Sequence, residues 1–314
     1  MSVETRLKIS VMTPCYNEEG NVELLYEKVR DVFSDLKKYD YEHIFVDNAS
    51  TDNTVSILKK IAARDKNLKI IVNSRNFGHI RSPFYGLLQG SGTAVIYLVS
   101  DFQDPPEMIK DFILKWEEGY KIVVGVKKQS KESKFMFGIR KIFYNFIGSI
   151  SEINLLKNFT GFGLYDKKVI EILRQINDPY PYFRGLICEI GLEMFTVEYT
   201  QPARRKGASK NNFYSLYDMA MLGITNHSKL PLRLAAILGF ITAFISLLFA
   251  VIYFIYKLVF WSNFSVGTAP IVIGLFFFSA VQLFFIGIIG EYIGSIHTQI
   301  LKRPLVIEKE RINF

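Results

Sequence analysis

The stretch Ser100-Asp101-Phe102-Gln103-Asp104-Pro105-Pro106 follows the strand-like run Ala94 to Val99 and sets acidic and amide oxygens at a strand's carboxyl end. That is the edge at which open α/β sheets bind ligands. On an extended segment Asp101 and Gln103, two positions apart, share one side. Their oxygens suit a hard cation, Mg2+ or Mn2+, that carries a diphosphate. The same residues also spell a turn and a helix start, with Asp104 capping a helix that begins at Pro105. Cations that would meet phosphate lie further on: Arg140 and Lys141 in the helical stretch Lys134 to Phe146, Arg184 in Pro181-Tyr182-Phe183-Arg184-Gly185, and Arg204, Arg205, Lys206 and Lys210 in one basic run. By residue type alone, each is equally a solvated surface charge. The histidines His43, His79, His227 and His297 have no metal-ligand spacing. Only His79 falls near a strand-end loop, and it reads as a structural histidine.

The elements that must position these groups alternate in type. Lys8 to Thr13 reads as a buried strand, with Pro14-Cys15-Tyr16-Asn17-Glu18-Glu19 as the loop behind it and a helix over Val22 to Leu36. A second strand, Tyr41 to Val46, ends in Asp47-Asn48-Ala49-Ser50-Thr51-Asp52-Asn53-Thr54, polar residues able to cap the next helix. Helix Thr54 to Ala63, strand Leu68 to Val72, loop Asn73 to His79, helix Arg81 to Gln89 and strand Ala94 to Val99 continue the series. Such alternation predicts a mostly parallel, doubly wound Rossmann-type sheet with Glu18 and Asp47 on its ligand edge. No Gly-x-Gly-x-x-Gly follows the first strand, which argues against a dinucleotide-dependent dehydrogenase.

A chain of 314 residues with 49% hydrophobic content exceeds one small domain, and its apolar residues crowd toward the carboxyl end. Leu232 to Tyr256 and Ala269 to Ile289 are each long enough to cross a bilayer core of ~30 Å as a helix. Lys and Arg precede the first run and follow the second, whereas the connecting loop offers only Lys257, so both ends are expected in the cytoplasm. No secretory signal is read at the amino terminus. Asn212 to Ser228 carries Phe213, Leu216, Tyr217, Ala220, Met221 and Ile224 at helical spacing, which suits either a membrane surface or a protein core. Glu291, at the cytoplasmic end of the second run, is expected near the interface or paired. Cys15 and Cys188 form no metal or redox spacing and read as reduced thiols. The net charge of +8 fits membrane phosphates, and no nucleic-acid-reading module is present. The expected organisation is a catalytic domain over 1–211, an amphipathic juxtamembrane segment over 212–231, a transmembrane hairpin over 232–295 and a cytosolic tail over 296–314.

Pro14-Cys15-Tyr16-Asn17-Glu18, Val46 to Asp52 and Asp101 to Pro106, in this order, resemble the nucleotide-sugar-binding half of family-two glycosyltransferases. With Ser74-Arg75-Asn76-Phe77-Gly78 and the apolar end, the chain looks most like the polyisoprenyl-phosphate branch, which includes dolichol-phosphate mannose synthases and bacterial undecaprenyl-phosphate glucosyltransferases. The resemblance covers nearly the whole chain. It implies a GT-A-like fold and an inverting, metal-dependent transfer from a UDP-sugar, with glucose the leading choice, to undecaprenyl phosphate. It places that reaction on the cytoplasmic face of a bacterial inner membrane and suggests self-association through the spans. On that pattern Pro14, Tyr16, Glu18, Asp47, Asn76 and Asp101 serve the nucleotide sugar, and Asp101 and Gln103 the metal. Asp101, Asp104 and Arg140 serve the chemistry, while Arg184, Arg204, Arg205 and Lys210 serve the acceptor phosphate. Three positions depart from it. Val99 replaces the leading Asp of Asp-x-Asp, Asn48 replaces an Asp, and Gly161 and Gly163 replace an Asp and an Arg in Asn158 to Asp166. A lipid phosphate is already anionic, so the reaction tolerates loss of a base. A different donor, such as an N-acetylglucosamine nucleotide, or a catalytically silent nucleotide-binding membrane scaffold, motivated by Val99 and Gly161, are the alternatives.

Overall fold

The computed structural model describes residues 6–129, 156–202, 213–260 and 268–314. Four strands, β1 (Leu7–Cys15), β2 (Tyr39–Asp47), β3 (Leu68–Asn73) and β4 (Ala94–Tyr97), run parallel in the spatial order β4-β1-β2-β3. Helices α1 (Val22–Asp35), α2 (Thr54–Arg64) and α3 (Gly78–Leu88) make the crossovers. The strands are buried on both faces, which is why they read as near-continuous Val, Ile and Phe runs. Along β2, Phe45 packs in the core shared with α1 and α2, while Ile44 and Val46 pack in the core shared with α3, as the period of two requires. The chain leaves β1 in one direction and returns to its other side as β4, so the sheet switches direction between them.

After β4 come a 3-10 turn (Pro106–Met108), α4 (Ile109–Glu117), β5 (Ile122–Gln129), β6 (Phe159–Asp166), α5 (Lys167–Ile176), α6 (Phe183–Glu189) and β7 (Met194–Thr200). Strand β6 lies antiparallel to β4 and β5, and β5 lies parallel to β7, so the mostly parallel sheet is mixed on this side. Gly163 permits the β5–β6 approach: a Cβ there would come 2.5 Å from the Val123 carbonyl oxygen and 2.9 Å from Val124 Cα. Gly161 holds a φ of +104°, which L residues with a side chain rarely adopt.

Helix α7 (Phe213–His227) leads into α8 (Leu230–Val259) and α9 (Thr268–Leu301). Both long helices are apolar enough to cross a bilayer, with mean hydropathy of 2.6 and 2.2 over their most apolar stretches. Phe240 is 78% exposed. The second apolar run ends at Ile289, but α9 continues to Leu301 because no breaker occurs before Pro304. Helix α7 packs against protein on two sides: Tyr217 donates to Glu291 of α9 (2.9 Å) and, just past the helix end, the Ser228 carbonyl accepts from Tyr292 (2.7 Å), while Leu222 is buried on the side of α3 and α6. The tail is structured too. Strand β8 (Glu308–Ile312) pairs antiparallel with β3 and occupies the sheet edge. Asn313 donates to the Ala62 and Leu68 carbonyls (both 2.8 Å), and Glu308 accepts from Tyr85 (2.7 Å). Both ends of the α8–α9 hairpin therefore connect to one sheet.

Candidate active site

The carboxyl ends of β1, β2, β3 and β4 surround a cavity of about 390 Å3 lined by Pro14, Tyr16, Glu18, Asn48, Asn76 and Asp101, among others. Its first two loops are zipped together. The Asn17 N–H donates to Ser50 Oγ (2.8 Å), the Glu18 N–H to Thr54 Oγ1 (2.9 Å), and the Thr51 N–H to Asn17 Oδ1 (2.8 Å). Asn17 and Ala49 hold positive φ, which turns each loop back over its strand end. The capping expectation is met differently from the sequence reading: Asn53 makes no side-chain cap, and Asp52 accepts from the Thr54 N–H instead (3.0 Å).

Asn48 joins the second loop to the third. Its Nδ2 donates to Asn76 Oδ1 (2.9 Å) and the Gly78 carbonyl (3.1 Å), and its Oδ1 accepts from Asn73 Nδ2 (3.2 Å) and the Phe77 N–H (2.9 Å). A carboxylate could make only the accepting half of this arrangement. Asp47, by contrast, does not line the cavity. It is wholly buried beneath it and accepts from the Ser50 N–H (2.9 Å). Burial pushes its carboxyl up, against the pull of the Ser50 hydrogen bonds.

The Asp101 loop differs from the extended segment expected of it. Strand β4 stops at Tyr97, Phe102 turns through a φ of +60°, and Asp101 accepts from the Gln103 N–H (3.1 Å). Asp101 lines the cavity and Gln103 does not. Asp104 does not cap the 3-10 turn, whose preceding residue is Pro105. Its buried carboxylate instead accepts from Tyr199 on β7 (2.6 Å), and burial pushes it up to about 6. Asp104 thus anchors the loop from behind.

A second chamber of about 270 Å3 continues from the first, sharing His79, Pro83 and Tyr97 with it. Its walls are largely aromatic and apolar, with Tyr182, Phe183 and Leu222, and Arg184 is its cation. Sequence reasoning found Arg184 but read His79 as a structural histidine, because its place at the shared boundary depends on how α3 meets α6. Arg140, Arg204, Arg205 and Lys210 lie outside the described residues. His43 is a core residue, kept neutral by burial that lowers it to about 3, with Nε2 3.0 Å from Thr13 Oγ1. Cys15 and Cys188 are free thiols.

Among the described residues no three His, Cys, Asp or Glu side chains converge as a metal cage. A polar cleft at the switch point of a doubly wound sheet, with Asp101 presented from the β4 loop, is the arrangement of a GT-A-like fold. The glycosyl transferase family 2 model matches residues 10–173. The chain belongs to that family and is a glycosyltransferase. It is 33% identical over 302 residues to the uncharacterized glycosyltransferase YkcC of Bacillus subtilis (strain 168), covering 96% of this chain and 93% of the relative. It is 33% identical over 305 residues to the SfII prophage-derived bactoprenol glucosyl transferase of Shigella flexneri, covering 97% and 98%. Among solved structures, glucosyl-3-phosphoglycerate synthase from Mycobacterium tuberculosis, in complex with Mn2+, UDP and phosphoglyceric acid, overlaps 70% of this chain and 76% of its own at 19% identity, with a TM-score of 0.45.

Proposed function

We propose that the protein transfers glucose from UDP-glucose to undecaprenyl phosphate at the cytoplasmic face of a bacterial membrane, with inversion at the anomeric carbon. The observation that carries this reading is the pair of contiguous chambers: a polar one at the sheet's switch point and an aromatic one that holds Arg184 and is bounded by Leu222 of α7, next to the apolar hairpin. The relatives' bactoprenol glucosyl transferase activity supports the acceptor and the sugar. The membrane orientation is supported by the hairpin, whose two ends connect to one sheet, and by the basic residues flanking it.

In the polar chamber, Pro14, Tyr16, Glu18 and Asn76 bind the nucleotide sugar, and Asp47 shapes the loop above it. The donor set fits Mg2+ or Mn2+: oxygen ligands only, with few protein carboxylates, suit an ion held largely by the diphosphate. Asp101, on the cavity wall, would hold it. An ion held there would supply charge neutralisation for the departing diphosphate. Arg184, together with Arg204, Arg205 and Lys210, binds the lipid phosphate, and Arg140 offers a further cation to the reacting phosphates. The spans serve membrane anchoring and self-association.

The test is transfer of radiolabel from a panel of UDP- and GDP-sugars into extractable undecaprenyl-linked lipid, for wild type and Asp101→Asn. Wild type is expected to label lipid from UDP-glucose, and the variant to lose on the order of 100-fold in rate while keeping its fold. Labelling from UDP-N-acetylglucosamine alone would replace the donor. Absence of transfer with intact UDP binding would favour the silent scaffold that Val99 and Gly161 suggest.

A further inference from the structure

The chambers meet at a boundary made by His79, Pro83 and Tyr97. Pro83 offers no polar side-chain group, so the polar atoms presented at the junction come from the imidazole and the phenol. His79 is solvent-accessible, and among the described residues its ring makes no hydrogen bond. It sits immediately after Gly78, whose carbonyl is held by Asn48, so the backbone carrying it is fixed by the same network that shapes the polar chamber. Burial of the ring's surroundings lowers its affinity for a proton; Asp218 of α7 opposes this and Arg184 reinforces it. The ring is therefore neutral at physiological pH and offers one N–H. Asp101 and Asn76 lie on one side of the junction and Arg184 on the other.

We propose that His79 is a substrate-contacting residue whose imidazole N–H donates to a phosphate oxygen at the junction of the two chambers. The inference rests on the two-substrate reading above. The oxygen belongs either to the diphosphate of the nucleotide sugar or to the phosphate of the lipid acceptor. The core histidine His43 has its ring shut away from solvent, with Nε2 beside Thr13 Oγ1. The ring of His79 is held out to both chambers.

The experiment uses the full-length protein in liposomes of defined composition, with His79→Ala and His79→Gln. The Ala variant is expected to lose on the order of 10- to 100-fold in transfer, the range for one hydrogen bond to a charged group, with an unchanged unfolding temperature. The Gln variant, which keeps an N–H donor, is expected to recover part of that loss. Calorimetry with UDP and the apparent KM for undecaprenyl phosphate separate the two sources. Weaker UDP binding in the Ala variant assigns the contact to the donor, and a raised lipid KM with normal UDP binding assigns it to the acceptor. The proposal is overturned if neither quantity moves, if Gln behaves like Ala, or if activity falls only in step with thermal stability. A wild-type protein that labels no lipid would defeat the two-substrate reading instead, and the UDP measurement would still decide whether His79 touches a phosphate.

Discussion

Replacing Glu42 by Gln tests whether the end of the sheet remote from the site is held by charge. Glu42 is 1% exposed on β2, opposite Ser10 of β1. Its Oε1 accepts from Ser10 Oγ (2.5 Å) and from the N–H and Oγ of Ser91 (2.8 and 2.9 Å). Its Oε2 lies 2.9 Å from Lys8 and 2.6 Å from Lys69. Burial alone would push the carboxyl up, but Lys69, Ser10, Ser91 and Lys8 together hold it down at about 2, against an ordinary 4.5. The gap corresponds to about 3 kcal/mol as an upper figure. Because the folded value is depressed, the contribution is fully present above about pH 4.5 and is lost as pH falls toward 2. Gln can still accept from Ser10 and Ser91, but its amide faces two ammonium groups. We expect it to cost about 2 to 4 kcal/mol at pH 7. Thermal unfolding of the detergent-solubilised protein, followed by circular dichroism from pH 7 down to pH 3, should show the wild type approaching the variant below about pH 4.5, as Glu42 of the unfolded chain takes up a proton that the folded protein still refuses. Glu42 lies five residues before Asp47, roughly 16 Å along the strand, so UDP affinity of the folded variant should not change. A gap between wild type and variant that stays constant with pH, or a variant as stable as wild type at pH 7, would refute the reasoning.

Asn48→Asp would set a carboxylate against Asn76 Oδ1 and the Gly78 carbonyl, which now receive hydrogen bonds from Nδ2; UDP affinity measured by calorimetry should fall about 10-fold or more, and an unchanged affinity would show that these loops do not shape the nucleotide pocket. Removing residues 308–314 would strip β8 from the β3 edge together with the Asn313 and Glu308 contacts. The expected loss is about 3 kcal/mol, with aggregation through the bared edge, read by thermal unfolding and by light scattering after size exclusion; a monodisperse truncation with normal stability would contradict the role assigned to the tail.

The alternating elements and the loops that form the polar chamber were legible in the sequence for one reason. Strands buried on both faces announce themselves as apolar runs, and a parallel sheet forces all their carboxyl ends to one edge. Glu18 and Asp101 follow from that rule without any knowledge of side-chain direction, whereas Pro14, Tyr16 and Asn76 come from the resemblance to the family's motifs. Asp47 shows its limit: the last residue of β2 points into the core, and the next one, Asn48, reaches the cavity. Gln103 shows another, because the left-handed turn at Phe102 breaks the alternation that would have set it beside Asp101. Neither the second chamber nor β8 has a local signature. The chamber arises where α3, α6 and α7 meet across long sequence separations, and β8 is the charged run Glu308-Lys309-Glu310-Arg311-Ile312, which acquires strand structure only because β3 has an open edge.

The departures from the family pattern gain a physical meaning that the sequence withheld. An Asp at position 161 would have to hold a φ of +104° with its Cβ 3.3 Å from the Phe183 ring, and a side chain at 163 would strike the β5 backbone. Reinstating a side chain at 163 therefore demands that β6 move away from β5, while one at 161 demands that the Phe183 ring, edge-on to Phe84 and Tyr165, give by a few tenths of an ångström. Those rings form the wall of the aromatic chamber and the core behind it. Two glycines thus trade a carboxylate and a guanidinium for a tightly closed sheet and an aromatic wall. On the proposed reaction that trade leaves the chemistry intact, because the nucleophile is a phosphate oxygen that has already lost its proton. What the site must still supply is alignment and cationic partners, and those come from the β4 loop and from Arg184 on α6 rather than from β6.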